Sequence, residues 1–268
     1  MEKKKPYGTV LIKASIILDF LAEQPDTSLQ EIAKGTDMTP STVLKILDTL
    51  LLIGYVNKST EKNYRLGGKL VRYANKNIDQ IDLVEITRPY LEKLQETIDE
   101  TIHLGVLDNE EILYVNKLDP KNQTIRMSSK IGITRPLYSS AMGKAVLAEF
   151  AEPQYEKYVE SHQLIPYTEY TITNSLKLRK ELDEVKMTQV AFDDEEVEKD
   201  IFCIGASIVK GEEIIGAFSI SMPKYRLTPE VKDKIIQSIK QTKEEIEKTL
   251  KKNEKAFAFF RHCRIIWI

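Results

Sequence analysis

Residues 27–66 read TSLQEIAKGTDMTPSTVLKILDTLLLIGYVNKSTEKNYRL. Asp26, Thr27 and Ser28 offer side-chain oxygens that can start a helix. Glu31 stands three residues after Ser28, the spacing at which a carboxylate returns to the cap residue's N–H. A helix over Leu29–Lys34 then turns Leu29, Ile32 and Ala33 inward, and Gly35 is placed to supply a left-handed helix end. Thr36, Asp37 and Met38 make a turn. Thr39 caps a second helix, with Pro40 in its first position, where a missing N–H costs nothing. That helix spans about Pro40 to Leu52. It buries Val43, Ile46, Leu47, Leu50 and Leu51 and turns Ser41, Thr42, Lys45 and Thr49 outward.

A polar outer face alone would suit any two-helix hairpin. The segment after the second helix narrows the reading. Tyr55-Val56-Asn57 and Tyr64-Arg65-Leu66 alternate as short strands around the polar tip Lys58 to Asn63. Two helices and then a charged hairpin form a winged helix-turn-helix. In such a reader the second helix enters the major groove. Small hydroxyls on Ser28, Thr39, Ser41, Thr42 and Thr49 allow close approach, and Lys45 reaches a base edge or phosphate. Lys58, Lys62 and Arg65 on the wing meet phosphates.

Charge is distributed to match. The chain of 268 residues has a net charge of -2. Residues 1–76 nevertheless carry 12 Lys/Arg against 8 Asp/Glu, and the remainder 27 against 33. A basic first third joined to an acidic body fits a nucleic-acid reader attached to a second domain of another kind. Lys3, Lys4 and Lys5 add a basic arm, and Ile12, Ile16, Ile17, Phe20 and Leu21 lie on one side of a helix that ends before Pro25. No apolar run approaches the about 20 residues of a membrane span. No signal-peptide core comes after the N-terminus, so a cytoplasmic protein is expected. Cys203 and Cys263 make neither a disulfide framework nor a metal motif. His103, His162 and His262 stand isolated and read as structural or exposed.

Beyond Gly67-Gly68, residues 69–77 read as a linker helix. Residues 82–97 form a longer helix that kinks at Pro89 or starts near Thr87. Strands are expected at 101–107, 112–117 and 124–127, with a turn at Asp108-Asn109. A last helix runs from about Glu230 to Asn253. The apolar tail AFAFFRHCRIIWI differs in character from all of this.

Several landmarks resemble the isocitrate lyase regulator (IclR) family of bacterial transcription factors. In the reader they are Ile32-Ala33, Ser41-Thr42, Leu47-x-Thr49-Leu50, Gly54-Tyr55 and Tyr64-x-Leu66-Gly67. In the body they are Gly132-x-x-x-Pro136-Leu137, the run Ser140 to Ala148, Asp193 to Glu196, Cys203-Ile204-x-Ala206 and Ser219-Ile220-Ser221. The resemblance runs from Thr9 to Glu247. It implies an α+β chain with an N-terminal winged helix-turn-helix (1–68), a linker helix (69–80), a C-terminal GAF-like effector-binding domain (81–253) and an atypical tail (254–268). It also implies a metabolite site formed by Ala141, Met142, Asp193, Cys203, Ser219 and Ser221. The expected function is a metabolite-responsive, DNA-binding regulator, a repressor of a catabolic operon, with activation or a protein-binding role as alternatives. Its partners are near-palindromic duplex DNA and further copies of itself, as dimer or tetramer. No cofactor is expected beyond a small effector, a carboxylate or a 2-keto sugar acid. Residues 5–24 resemble members of the family that control sugar-acid use, which points to ketodeoxygluconate. An enzyme with Cys203 as nucleophile and Asp193 in support lacks a base nearby in sequence.

The chain departs from the family at four places. Lys45 replaces an Arg, so the two-pronged contact that Arg makes to guanine is lost there. Asp200 and Gln189 stand where the family commonly has Gly. Tyr138-Ser139 replaces a His-Ala pair.

Overall fold

The computed structural model describes residues 8–79 and 82–252. The basic arm Lys3 to Lys5, His262, Cys263 and the apolar tail lie outside these residues. Two compact units emerge, residues 1–80 and 81–268.

The first unit is built as α1 (Thr9–Glu23), α2 (Leu29–Gly35), α3 (Pro40–Leu52), β1 (Val56–Lys58), β2 (Tyr64–Leu66) and α4 (Gly68–Asp79). Ser28 and Glu31 close the reciprocal capping box that starts α2. Thr39 caps α3 by accepting from the Thr42 N–H. The core joins Ile17 and Leu21 of α1 to Ile32, Val43, Ile46, Leu47, Leu50, Val56 and Tyr64. Two expectations change here. On α1 only Ile17 and Leu21 are buried, and Ile12 and Ile16 face solvent. Gly35 is the last residue of α2 rather than a left-handed cap. A Cβ there would sit 2.1 Å from the Phe20 ring, so the glycine is needed for close packing of α1. The wing pairs Val56 with Leu66, Asn57 with Arg65 and Lys58 with Tyr64. Its tip turns back at Lys62, whose φ is +66°.

The second unit is a six-stranded antiparallel sheet in the order β5-β4-β3-β8-β7-β6. Its strands are β3 (Thr101–Asp108), β4 (Glu111–Leu118), β5 (Thr134–Pro136), β6 (Ala191–Asp194), β7 (Ile201–Lys210) and β8 (Glu213–Pro223). α5 (Asp82–Ile98) and α9 (Pro229–Lys252) cover one face, over Ile102, Leu104, Ile204, Phe218 and Ile220. α6 (Ala141–Leu147), α7 (Glu152–Ser161) and α8 (Ser175–Thr188) belong to the other, over Ile112, Tyr114, Ala191 and Ala217. Because strand residues alternate in direction, one strand can feed both cores, as β4 does with Val115 on one face and Ile112 and Tyr114 on the other. α5 runs through Pro89 without a break. Pro89 and Glu85 both face solvent, so the Glu85 carbonyl that the proline cannot bond is left to water.

β3 and β4 join through Asn109 and Glu110, both at positive φ, the signature of a tight hairpin turn. The strand expected at 124–127 does not form. Residues 119–133 run irregularly, tied down where Lys117 Nζ donates to the Met127 carbonyl at 2.7 Å and Asp99 accepts from the Lys121 N–H at 2.7 Å. The edge strand comes later, as β5.

Candidate functional site

In the first unit, α3 presents Ser41, Lys45, Asp48 and Thr49 to solvent opposite its buried stripe. Thr42 is half-buried. The Ser28 and Thr39 hydroxyls are engaged as caps, Ser28 with Glu31 at 2.7 Å and Thr39 with Thr42 at 2.9 Å. The Thr49 hydroxyl donates to the Lys45 carbonyl at 3.0 Å. On the wing, Lys58 lies over the Tyr64 ring at 5.0 Å from its centre, and Arg65 stands beside Asn57 on the outward face. Among the described residues, Lys45, Lys58, Lys62 and Arg65 enter no salt bridge. Four cations without a carboxylate partner, on one helix and the hairpin after it, suit phosphate contact. Asp48 and Asn57, which share these surfaces, were not singled out from sequence.

In the second unit a cavity of about 50 Å³ opens on the sheet face that carries α6. Its walls include Asp193, Cys203 and Ser221 together with His103, Tyr114, Ser129, Arg135, Ser140 and Glu198. Strand register explains the grouping. Asp193 pairs with Cys203, and Cys203 with Ser221, so three neighbouring strands point these side chains to one face. A step along the same face, Gly205 pairs with Ser219, and Ser219 with His103.

Three expected residues do not line the cavity. Ser219 is buried beside Gly205, where the start of α6 lies directly against the sheet. A Cβ on Gly205 would stand 2.9 Å from the Ala141 carbonyl carbon and 3.0 Å from the Met142 nitrogen. The Ala141 and Met142 side chains are correspondingly packed into the core. The cavity meets this helix through Ser140, whose Oγ caps it by accepting from the Gly143 N–H at 3.1 Å.

A hydrogen-bonded chain crosses the wall. Ser221 Oγ donates to Cys203 Sγ at 3.1 Å. It therefore accepts from His103 Nδ1 at 3.3 Å, which leaves Nε2 to accept from Ser129 at 2.7 Å. His103 is thus no isolated histidine. Its sequence neighbours gave no sign of this, because its partners come from residues 129 and 221. Burial, with help from Lys117 and Arg135, pushes the His103 pKa down to about 3, so the ring is neutral. Burial also pushes the Cys203 thiol up, and the adjacent Asp193 adds to it. A neutral thiol beside a weakly basic imidazole is poorly suited to nucleophilic catalysis and well suited to binding.

Asp193 is raised to about 6 by burial, against which the Glu196 and Val197 N–H groups and Lys144 act. Its Oδ1 accepts from Glu196 N–H at 2.8 Å. Glu196 in turn pairs with Lys144 of α6, which also reaches Glu181 of α8 at 3.0 Å. Burial disfavours the Lys144 ammonium, but the two carboxylates outweigh it and hold the side chain charged. This buried network fixes α6, α8 and the β6–β7 turn around the cavity.

The family's missing glycines are explained by the backbone. Asp200 has φ +62° and Gln189 φ +63°. Both occupy the left-handed region that glycine enters freely. Asp200 sits in an exposed turn off the cavity wall; Glu198 is the acidic residue that reaches it. Tyr138 instead donates to the Ile165 carbonyl at 2.7 Å. Among the described residues, no cluster of His, Cys, Asp and Glu could hold a metal ion, and no helix is long and apolar enough to cross a membrane.

Comparison with known proteins agrees with this architecture. Residues 10–59 match the IclR helix-turn-helix domain, and residues 75–248 match the family described as bacterial transcriptional regulator IclR C-terminal. The HTH-type transcriptional regulator KdgR of Escherichia coli K12 is 32% identical over 232 residues, 86% of this chain and 88% of its own. The DNA-binding transcriptional repressor YiaJ of the same organism is 30% identical over 257 residues, 93% of this chain and 90% of its own. The crystal structure of the Thermotoga maritima IclR superposes with a TM-score of 0.73 at 32% identity, covering 91% of this chain and 100% of that one. The chain belongs to the IclR family of metabolite-responsive, DNA-binding transcriptional regulators.

Proposed function

We propose that this regulator represses a catabolic operon and is released by a small carboxylate, of which a 2-keto sugar acid such as ketodeoxygluconate is one. The observation that carries the reading is the presence of a basic reader and a polar cavity in one chain. Residues 1–68 act as the DNA-binding domain, 69–80 as a linker helix and 81–253 as the effector domain. Ser41, Lys45 and Thr49 enter the major groove, Ser28, Thr39 and Thr42 support that approach, and Lys58, Lys62 and Arg65 track phosphates. The protein works in the cytoplasm as a dimer or tetramer, whose two-fold symmetry matches a near-palindromic operator. Likeness to a relative named a repressor supports repression over activation. Asp193, Cys203 and Ser221 face the effector directly. Ala141, Met142 and Ser219 act from behind that wall, where the start of α6 packs on the sheet.

The effector acts only through its different affinities for the DNA-competent and released arrangements. Gel shifts of the full chain on its own upstream DNA test the reading. A specific complex is expected that weakens steeply with salt and dissociates on addition of the effector. Binding no tighter than to random duplex would overturn it. Acceptance of Lys45→Ala and Ser41→Ala without loss of affinity would favour a protein-binding winged helix instead.

A further inference from the structure

We infer that Arg135 and the Tyr114 hydroxyl form the anion-receiving end of the cavity, and that the effector is a small acid bearing one carboxylate there and a hydroxyl or keto group toward Asp193, Cys203 and Ser221. The inference deepens the effector reading above and rests on it.

Arg135 pairs with Ile112 across β4 and β5. Ile112 packs into the core beneath α6, so cross-strand pairing places Arg135 on the same face as the cavity. Tyr114 pairs with Gly105 on that face and leans on His103, with ring centres 4.8 Å apart. The Tyr114 side chain is 8% exposed. Among the described residues, neither its hydroxyl nor the Arg135 guanidinium has a hydrogen-bond or ion-pair partner. Both line the cavity. The phenol is buried and the guanidinium half-buried, and both border the cavity with donors that no acceptor among the described residues takes up. They make sense where an acceptor arrives from outside. Arg offers a planar pair of N–H groups to a carboxylate, and the phenol adds a third donor.

The other walls limit the charge of the guest. Asp193 and Glu198 are acidic, and Cys203, Ser221 and Ser129 are neutral. A second carboxylate would meet Asp193 or Glu198 with no cation opposite. Hydroxyl and keto groups meet donors and acceptors of the right kind. Tyr114 and Asp193 stand on strands four apart in the sheet order, about 19 Å along a flat sheet. That both border one small cavity means the sheet curls around it.

The test uses the full chain and a fixed panel: pyruvate, lactate, gluconate, 2-keto-3-deoxygluconate and the dianion malonate. Thermal shift identifies binders and isothermal titration gives Kd. At least one monocarboxylate is expected to bind, while its primary amide and malonate do not. Arg135→Gln should weaken that binding about 10- to 100-fold, Arg135→Lys less, and Tyr114→Phe about 3- to 10-fold. Tyr114→Phe keeps the ring against His103, so it decides the matter should Arg135→Gln fail to fold by circular dichroism. Binding of the amide as tightly as the acid would overturn the inference. So would an affinity that survives both substitutions, or failure of every monocarboxylate on the panel. Titration needs no DNA. Failure of the wild-type chain to recognise its operator would therefore strike the regulatory reading and leave the binding result standing.

Discussion

The two units place their charge in opposite ways. Among the described residues of the reader, Thr27 is the one buried polar side chain, and every lysine and arginine of α3 and the wing lies in solvent. The sensor buries Lys144, Lys243, Asp193, Glu196 and His103. The difference comes from the partner. A surface that meets a chain of phosphates needs free cations in water, where counterion release supplies affinity. A cavity that meets one small molecule needs polar groups taken out of water and held by other polar groups. The reader is therefore stabilised chiefly by apolar packing, and the sensor is exposed to the consequences of breaking a charge network.

The largest expected effect tests that contrast directly. Lys144→Met removes the cation between Glu196 and Glu181 and leaves a buried carboxylate uncompensated. A loss of about 3–5 kcal/mol is expected in urea unfolding monitored by circular dichroism. Lys45→Met, at an exposed lysine of the reader, should stay within about 0.5 kcal/mol of the parent. Equal costs for the two would dissolve the distinction.

pH sharpens it next. His103 titrates at about 3 when folded and near 6.5 when unfolded. Between these values the unfolded chain binds more protons, so stability falls as pH is lowered. At pH 4.5 the loss reaches about 3 kcal/mol, and His103→Gln should remove it. Asp193 has the opposite sign. Its carboxyl titrates at about 6 folded and near 3.9 unfolded, so the folded chain binds more protons in that window. Stability falls as pH rises through it, and Asp193→Asn should gain about 3 kcal/mol at pH 7.5 while keeping the Oδ1 acceptor. Thermal melts of both variants across pH 4.5–8 measure the two slopes. A flat difference for either would show that burial does not govern that group.

Legibility in the sequence divides the same way. In the reader the deciding signals are local: Ser28 and Glu31 three apart, Thr39 before Pro40, a hairpin after the second helix. Each concerns residues within one or two turns, and each reappears in the structure. In the sensor, Asp193, Cys203 and Ser221 came through family resemblance and do share a wall. His103, Tyr114 and Arg135 are not legible as a group in the sequence because strand register, not sequence spacing, assembles them. Alternation from Thr101 put His103 on a definite face; nothing short of the β3–β8 pairing said which face held the cavity. Gly35 differs from its expected role for a related reason. Its requirement comes from Phe20 across the helix pair, not from the turn after it.

On the reader the expected effect is smaller and takes a different form. Lys45→Ala should weaken operator binding about 5- to 10-fold near 100 mM salt and reduce the slope of log K against log salt by about one. Lys45→Arg separates two roles for the position. A phosphate contact predicts little change. A base contact predicts altered preference at one operator position, since Arg brings the two-pronged donor that Lys lacks. Competition with single-base operator variants reads the result.

The smallest effect concerns backbone rather than charge. Gln189 ends α8 at φ +63°, and Asp200 turns between β6 and β7 at φ +62°. A side chain in this region costs about 1–2 kcal/mol relative to the right-handed helix, and glycine escapes that cost while losing more freedom on folding. The two contributions leave a net gain of about 0.5–1 kcal/mol for Gln189→Gly. Asp200→Gly should gain less. Aspartate tolerates the left-handed region better than glutamine does. The Asp200 N–H donates to Glu195 at 3.0 Å and its carbonyl accepts from the Lys224 N–H at 2.7 Å, bonds that glycine keeps. Thermal melts of the two single variants should rank Gln189→Gly above Asp200→Gly. The reverse order would mean that the Asp200 carboxylate, in a turn already rich in acid, destabilises through its charge by more than its backbone conformation does.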